Sequence, residues 1–162
     1  MDQTSVVRIA NSTIQDNSED GVYIVENSSA RIGLITASQP GSNTIRNNGG
    51  HGISVLGSSN ALIMGNTIDG NSGDGIRVAR NAQANVGRNL ISDNGGDGIS
   101  VSLGAGVTLP GQQPNQTDSA RINRGFGVQC LVGGYVDGSI GTLAGARGPK
   151  HFDVGCIDYL NP

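Results

Sequence analysis

Apolar and polar positions recur in one arrangement four times along the chain. They read Ile14-x-x-Asn17-x-x-x-Gly21-Val22-x-Ile24, then Ile45, Asn48 and Gly52-Ile53-x-Val55, then Ile68, Asn71 and Gly75-Ile76-x-Val78, then Ile91, Asn94 and Gly98-Ile99-x-Val101. The isoleucines fall 23 residues apart between the last three copies and 31 apart between the first two. A fixed period of about 20–50 residues marks a chain that stacks one small unit on the next.

Each unit holds three short strand candidates. One set is Ala30-Arg31-Ile32, Ala61-Leu62-Ile63 and Ala84-Asn85-Val86, with Val7-Arg8-Ile9 preceding them in register. A second centres on Ile14, Ile45, Ile68 and Ile91, and the third is the Gly-Ile/Val-x-Val/Ile run at 21–24, 52–55, 75–78 and 98–101. Alternation of apolar and polar residues buries one face of each strand. The intervening turns carry Asn, Gly, Asp and Ser, which tolerate or bond to a left-handed backbone. So short a coil cannot pair its strands with one another. Each pairs in parallel with its equivalent one coil on, about 4.8 Å away. The pattern predicts an all-β fold, a right-handed parallel β-helix of about five coils.

These rungs resemble the right-handed parallel β-helix, or pectin-lyase-like, repeat proteins, whose rungs read Asn-x-Ile-x-x-Asn-x-x-x-Gly-Ile-x-Val. The resemblance spans roughly residues 5–131. It implies the fold, and a leaning towards polysaccharide ligands. The family's lyases, hydrolases, epimerases and phage tailspikes share no single activity.

A looser fifth rung, Asn123-x-x-x-Gly127-Val128-x-Cys130, follows after a Pro- and Gln-rich stretch. Insertions are expected near 34–42 and 104–117, where the spacing lengthens. Residues 1–132 are expected to form the coils. Residues 133–162, where the period dissolves, should cap the C-terminal end, with Phe152, Ile157, Tyr159 and Leu160 closing the core, because an open strand edge invites association. The pattern begins by about residue 6 with no matching cap. End-to-end self-association through that coil is therefore expected, unless upstream residues cover it.

Asn17, Asn48, Asn71, Asn94 and Asn123 should form a file whose amides bond to backbone and to each other, an asparagine ladder with a structural role. Glycine is abundant (27 of 162 residues), aromatic residues make up 3%, and the formal net charge is −3. No basic stripe offers itself to nucleic acid, and no apolar run reaches the length of a membrane span. Cys130 and Cys156 leave two readings open, one disulfide or two buried thiols. Met1-Asp2-Gln3-Thr4 is not a signal peptide. An extracellular or cell-surface location would require a longer precursor.

The residues before the rung glycines, Asp20, His51, Asp74 and Asp97, should stack on one edge, with Glu19 beside them. Tyr23, Ser54, Arg77, Ser100 and Gln129 should point outwards from the following strands. Carboxylates, a histidine, an arginine and hydroxyls along one face suit an elongated sugar chain. Gly50-His51-Gly52-Ile53-Ser54-Val55 also resembles the Gly-His-Gly segment of polygalacturonases, inverting β-helix glycosidases. That resemblance implies Asp20 as acid or base, His51 as its neighbour and Arg77 as a clamp on a uronate carboxylate, with Asp74 of the same file a further catalytic candidate. The family's upstream Asn-Thr-Asp is absent here, its Asp pair is Glu19-Asp20, and Ala79 stands where it has lysine. The same file also reads as turn chemistry without catalysis. Stacked Asp74 and Asp97 would repel unless solvated or bridged by a cation such as calcium, though no cofactor is required. The sequence thus points to a polysaccharide-binding or structural module. The alternatives are a polygalacturonase-like hydrolase or lyase fragment and a plain spacer or adhesin segment.

Overall fold

The computed structural model describes residues 5–33, 41–112 and 114–161. Its strands form three sheets in which every pair is parallel. Sheet A contains β1 (Val6–Ile9), β4 (Ser29–Gly33), β7 (Asn60–Met64), β10 (Gln83–Gly87), β13 (Gly106–Leu109), β15 (Tyr135–Gly138) and β17 (Ile157–Leu160). Sheet B contains β2 (Thr13–Gln15), β5 (Thr44–Arg46), β8 (Thr67–Asp69) and β11 (Leu90–Ser92). Sheet C contains β3 (Val22–Ile24), β6 (Ile53–Val55), β9 (Ile76–Ala79), β12 (Ile99–Ser102), β14 (Phe126–Leu131) and β16 (Gly148–Phe152). The chain visits the sheets in the order A, B, C through β12; beyond it, strands of A and C alternate and only isolated bridges at Gln116 and Thr142 continue the sheet B side. The parallel β-helix expected from the repeat is the fold.

Like-numbered residues pair across coils as the repeat requires: Ile45 with Ile68, Ile53 with Ile76, Ala61 with Ala84. The inward files of the three sheets meet in one core that includes Ile32, Ile45, Ile53, Ile63, Ile68, Ile76, Ile91 and Ile99, all fully buried. Each such side chain stabilises the fold by roughly 1.5–3 kcal/mol.

The rung glycines have a different physical reason from a left-handed backbone. None of Gly21, Gly52, Gly75, Gly98 or Gly127 has a positive φ. Space is the constraint: a Cβ on Gly75 would lie 2.5 Å from Ile91 Cγ2 and 2.8 Å from the Gly98 carbonyl oxygen.

Two asparagine files run through the corners. In the expected one, Nδ2 of Asn17, Asn48, Asn71 and Asn94 each donates to Oδ1 of the next member, ending at Asn123, over 2.8–2.9 Å. The second, between sheets A and B, was not anticipated. Asn43, Asn66 and Asn89 donate in the same way along a file that ends at Asn115, over 2.9–3.0 Å.

The insertion expected near 34–42 falls mostly on residues outside those described. The other lies after β13, between Leu109 and Asn123, where Gln116 still bridges to Leu90. Residues 133–161 take the terminal position as further strands of the solenoid, β15, β16 and β17. Phe152 and Leu160 pack against the core, but Ile157 and Tyr159, 47% and 58% exposed, point outwards and do not close it. Charge stands in their place. Lys150 follows Val128 in one inward file and Asp158 follows Val136 in another, and Lys150 Nζ meets Asp158 Oδ2 at 2.7 Å. Burial works against the Asp158 charge, but hydrogen bonds from Lys150 and the Leu160 N–H, with the Lys150 charge, hold its carboxyl below the ordinary value. Inward-pointing charge at a sheet end is one way proteins discourage edge-to-edge pairing.

Candidate functional site

At the corner leading into sheet C, the backbone leaves one N–H per coil with no carbonyl facing it. The file Asp20, His51, Asp74 and Asp97 supplies the acceptor. Asp20 Oδ1 accepts from the His51 N–H at 2.7 Å, and His51 Nδ1 from the Asp74 N–H at 2.9 Å. Asp74 Oδ1 accepts from Asp97 at 2.8 Å, and Asp97 Oδ1 from Phe126 at 2.6 Å. The file then stops at Phe126, whose ring offers no such acceptor, and the next equivalent N–H, that of Gly148, turns back to its own coil's Gly145 carbonyl at 3.0 Å. Each acceptor also lies over a glycine of the following coil. A Cβ on Gly50, Gly96 or Gly125 would overlap an aspartate oxygen, and one on Gly73 would sit 2.7 Å from His51 Nδ1. The Gly-acceptor-Gly pattern is therefore the sequence trace of a second kind of ladder.

This geometry constrains the chemistry of the candidate residues. Asp20, Asp74 and Asp97 each commit one carboxylate oxygen to a backbone amide, and His51 does the same work with a ring nitrogen. Among the described residues, no three His, Cys, Asp or Glu side chains converge as a metal-binding group. Asp74 and Asp97 are joined through an N–H.

Asp97 is 7% exposed, and burial pushes its carboxyl above the ordinary 3.8. The Phe126 N–H counters this, the Asp74 charge adds to it, and Arg147 and His151 oppose it. Between 3.8 and the raised value, the folded state holds a proton that the unfolded chain has lost. The stability this confers is complete below 3.8 and is lost as pH rises through the folded value. Asp97→Asn keeps Oδ1 for Phe126 and resembles the protonated acid. We expect its Tm at pH 7 to exceed the parent's by a few degrees, and the two to converge below pH 3.8. Thermal melts across pH 3–8 check this, and a variant uniformly less stable would contradict it.

Outward from sheet C, Tyr23, Ser54, Arg77, Ser100 and Gln129 form one file, as expected. Its next member, His151 on β16, was missed because the repeat is not readable there. His151 stacks on the Phe126 ring at 4.9 Å between centroids, and Arg147 lies 5.1 Å over the same ring. At the other end, Ser18, Glu19, Asp20, Tyr23, His51 and Arg77 line a cleft of about 490 Å³. Tyr23 is 58% exposed there. Ser100, Asp97 and Gln129 do not join this cleft.

Inside it, Glu19 and Asp20 bring carboxylate oxygens, and His51 and Arg77 bring nitrogen donors. His51 Nδ1 accepts the Asp74 N–H, so the neutral imidazole carries its proton on Nε2. That nitrogen lies 3.4 Å from Arg77 Nη1, which also has only hydrogens to offer. Two donors thus face each other without an acceptor between them. Next to Arg77, the Ser54 hydroxyl, 1% exposed, has no partner.

Residues 1–136 match the family described as "Right handed beta helix region". The chain belongs to the right-handed β-helix family. No curated protein and no solved structure matches it. Membership in the right-handed β-helix family accounts for the coils and ladders, and the cleft must be read from its own residues.

Proposed function

We infer that this right-handed β-helix is a polysaccharide-binding module that works without catalysis in this segment. The observation that carries the reading is the pair at the cleft wall: Arg77 Nη1 and His51 Nε2 lie 3.4 Å apart, and with Nδ1 accepting the Asp74 N–H both are donors. A sugar hydroxyl or uronate carboxylate oxygen supplies an acceptor, and the carboxylate suits a guanidinium best. The exposed Tyr23 ring beside them offers an apolar face to a sugar ring. What weighs against catalysis is the shared role of Asp20, Asp74 and Asp97. A turn acceptor repeated in successive coils needs no reaction to explain it. The Cys130–Cys156 disulfide supports an extracellular or cell-surface setting.

The test is calorimetric titration with neutral and acidic polysaccharides, alongside a reducing-end assay. Arg77→Ala and Tyr23→Ala are each expected to weaken binding about tenfold, equivalent to about 1.4 kcal/mol, with no reducing ends released by the parent protein. Release that disappears in Asp20→Asn would establish the polygalacturonase-like alternative. Binding indifferent to both cleft variants would remove the cleft from the account.

A further inference from the structure

The outer face of sheet A lies on a different side of the coil from the cleft, and strand register fixes which residues run along it. One outward file opens with Arg8 and Arg31, passes Leu62, Asn85 and Thr108, and ends with Asp137 and Tyr159. The file beside it runs from Val6, through Gln83 at its middle, to Ile157. Charge in these two files is confined to the ends, cationic at Arg8 and Arg31 and anionic at Asp137. All three side chains are exposed, and none has an ion-pair partner among the described residues. Arg8 and Arg31 are direct neighbours across the β1–β4 pair. Like charges so opposed destabilise a sheet unless something neutralises them. Apolar surface is left at both ends too, at Val6, which is 86% exposed, and at Ile157 and Tyr159.

Such a face is complementary to its own reverse. Sheet A has seven strands, and a two-fold axis along the middle one, β10, lays each file on itself read backwards. Arg31 then faces Asp137 of a second copy, Arg8 faces the Tyr159 ring, Val6 meets Ile157, and Asn85 meets Asn85. A two-fold contact is isologous, so every pairing but the last occurs twice. A guanidinium matches a carboxylate by paired hydrogen bonds and rests favourably on an aromatic face. Two facing amides each donate and accept. The other two-fold arrangement, with both solenoids running the same way, gathers the arginines of both copies at one end and is disfavoured by their charge.

We propose that two copies of this chain associate through the outer faces of sheet A, with their solenoid axes antiparallel and Arg31 of each on Asp137 of the other. At about 4.8 Å per coil and 3.3 Å per residue, the face is about 29 Å long and about 13 Å wide. That is the small end of protein interfaces, so the dimer is weak and forms at about 10–100 μM. The end-to-end association expected of the first coil uses strand edges instead of this face, and the two are separable.

The test is sedimentation velocity of the full chain from about 5 to 500 μM, a range that brackets that affinity. The parent should pass from monomer to dimer and no further, and added salt should weaken the dimer. Amide shifts of Arg31, Leu62 and Thr108 should move with concentration. Arg31→Asp and Asp137→Arg should each weaken self-association at least about tenfold, because each sets like charges together at both contacts. Their equimolar mixture should restore it, since the mixed dimer pairs opposite charges twice. Both side chains are exposed, so an unchanged Tm is expected. Should either variant misfold, Asn85→Arg puts like charges on the two-fold axis and should cause the same loss. The proposal is overturned if the chain stays monomeric throughout, if association survives the charge variants as end-to-end contact would, or if the mixture fails to recover it.

Discussion

Asn71→Ala is expected to lower the free energy of unfolding by about 3–5 kcal/mol, a large share of the roughly 5–15 kcal/mol that stabilises a typical domain. The Asn71 side chain sits at the middle of its file. Its Oδ1 accepts from the Asn48 backbone N–H at 3.1 Å and from Asn48 Nδ2 at 2.9 Å. Its Nδ2 donates to the Ile45 carbonyl at 3.3 Å and to Asn94 Oδ1 at 2.9 Å. Truncation strands the Asn48 backbone N–H, leaves Asn48 Nδ2 only its longer bond to the Ile14 carbonyl (3.4 Å), and takes a donor from the Ile45 carbonyl, in the interior where each unmet polar group costs about 1–3 kcal/mol. Asn94 loses less, since its Oδ1 still accepts the Asn71 backbone N–H. Asn17→Ala is the control. Asn17 is exposed and donates to Asn48 Oδ1 without accepting from a preceding member, so its loss should cost under about 1 kcal/mol. Urea titrations of both variants measure the contrast. Equal costs would mean that the file is not a cooperative ladder.

How much of this was legible in the sequence follows from what a repeat can encode. Spacing identifies residues that stack, so Ile45 over Ile68 and Asn48 over Asn71 were readable before any coordinates. The second ladder was within reach too. Asn43, Asn66 and Asn89 keep the same step of 23 and stand two residues before a rung isoleucine, but Asn115 is displaced by the insertion after β13. The last three strands left little signal, because Lys150 and Asp158 occupy inward positions where the pattern expects apolar residues. Direction was also beyond the sequence. Asp20, His51, Asp74 and Asp97 were correctly placed in one file, but only geometry shows their side chains reaching along the axis to the next coil's N–H.

Those final strands also set the second large effect. Cys130 lies in the inward file Ile24, Val55, Val78, Val101, Cys130, Phe152, and its disulfide to Cys156 closes a loop with a sequence separation of 26. In the chain-entropy account, a loop of that size contributes about 3.5 kcal/mol. The double variant Cys130→Ala/Cys156→Ala should lose about 3 kcal/mol, and the loss should be local. A solenoid coil contacts only its neighbours, so stability is a sum of coil and interface contributions. The coil that the disulfide fastens is the last one, with a neighbouring coil on one side only. It places Phe152 and Leu160 against the core, while Lys150 and Asp158 hold each other at its end. Without the bridge, β16 and β17 should detach first and leave β14 and β15 as the new edge. Hydrogen exchange at Tyr135–Gly138 should then accelerate much more than at Ile53–Val55, with unfolding no longer two-state. Uniform acceleration along the chain would mean that the coils unfold as one unit, and that the disulfide stabilises the solenoid globally.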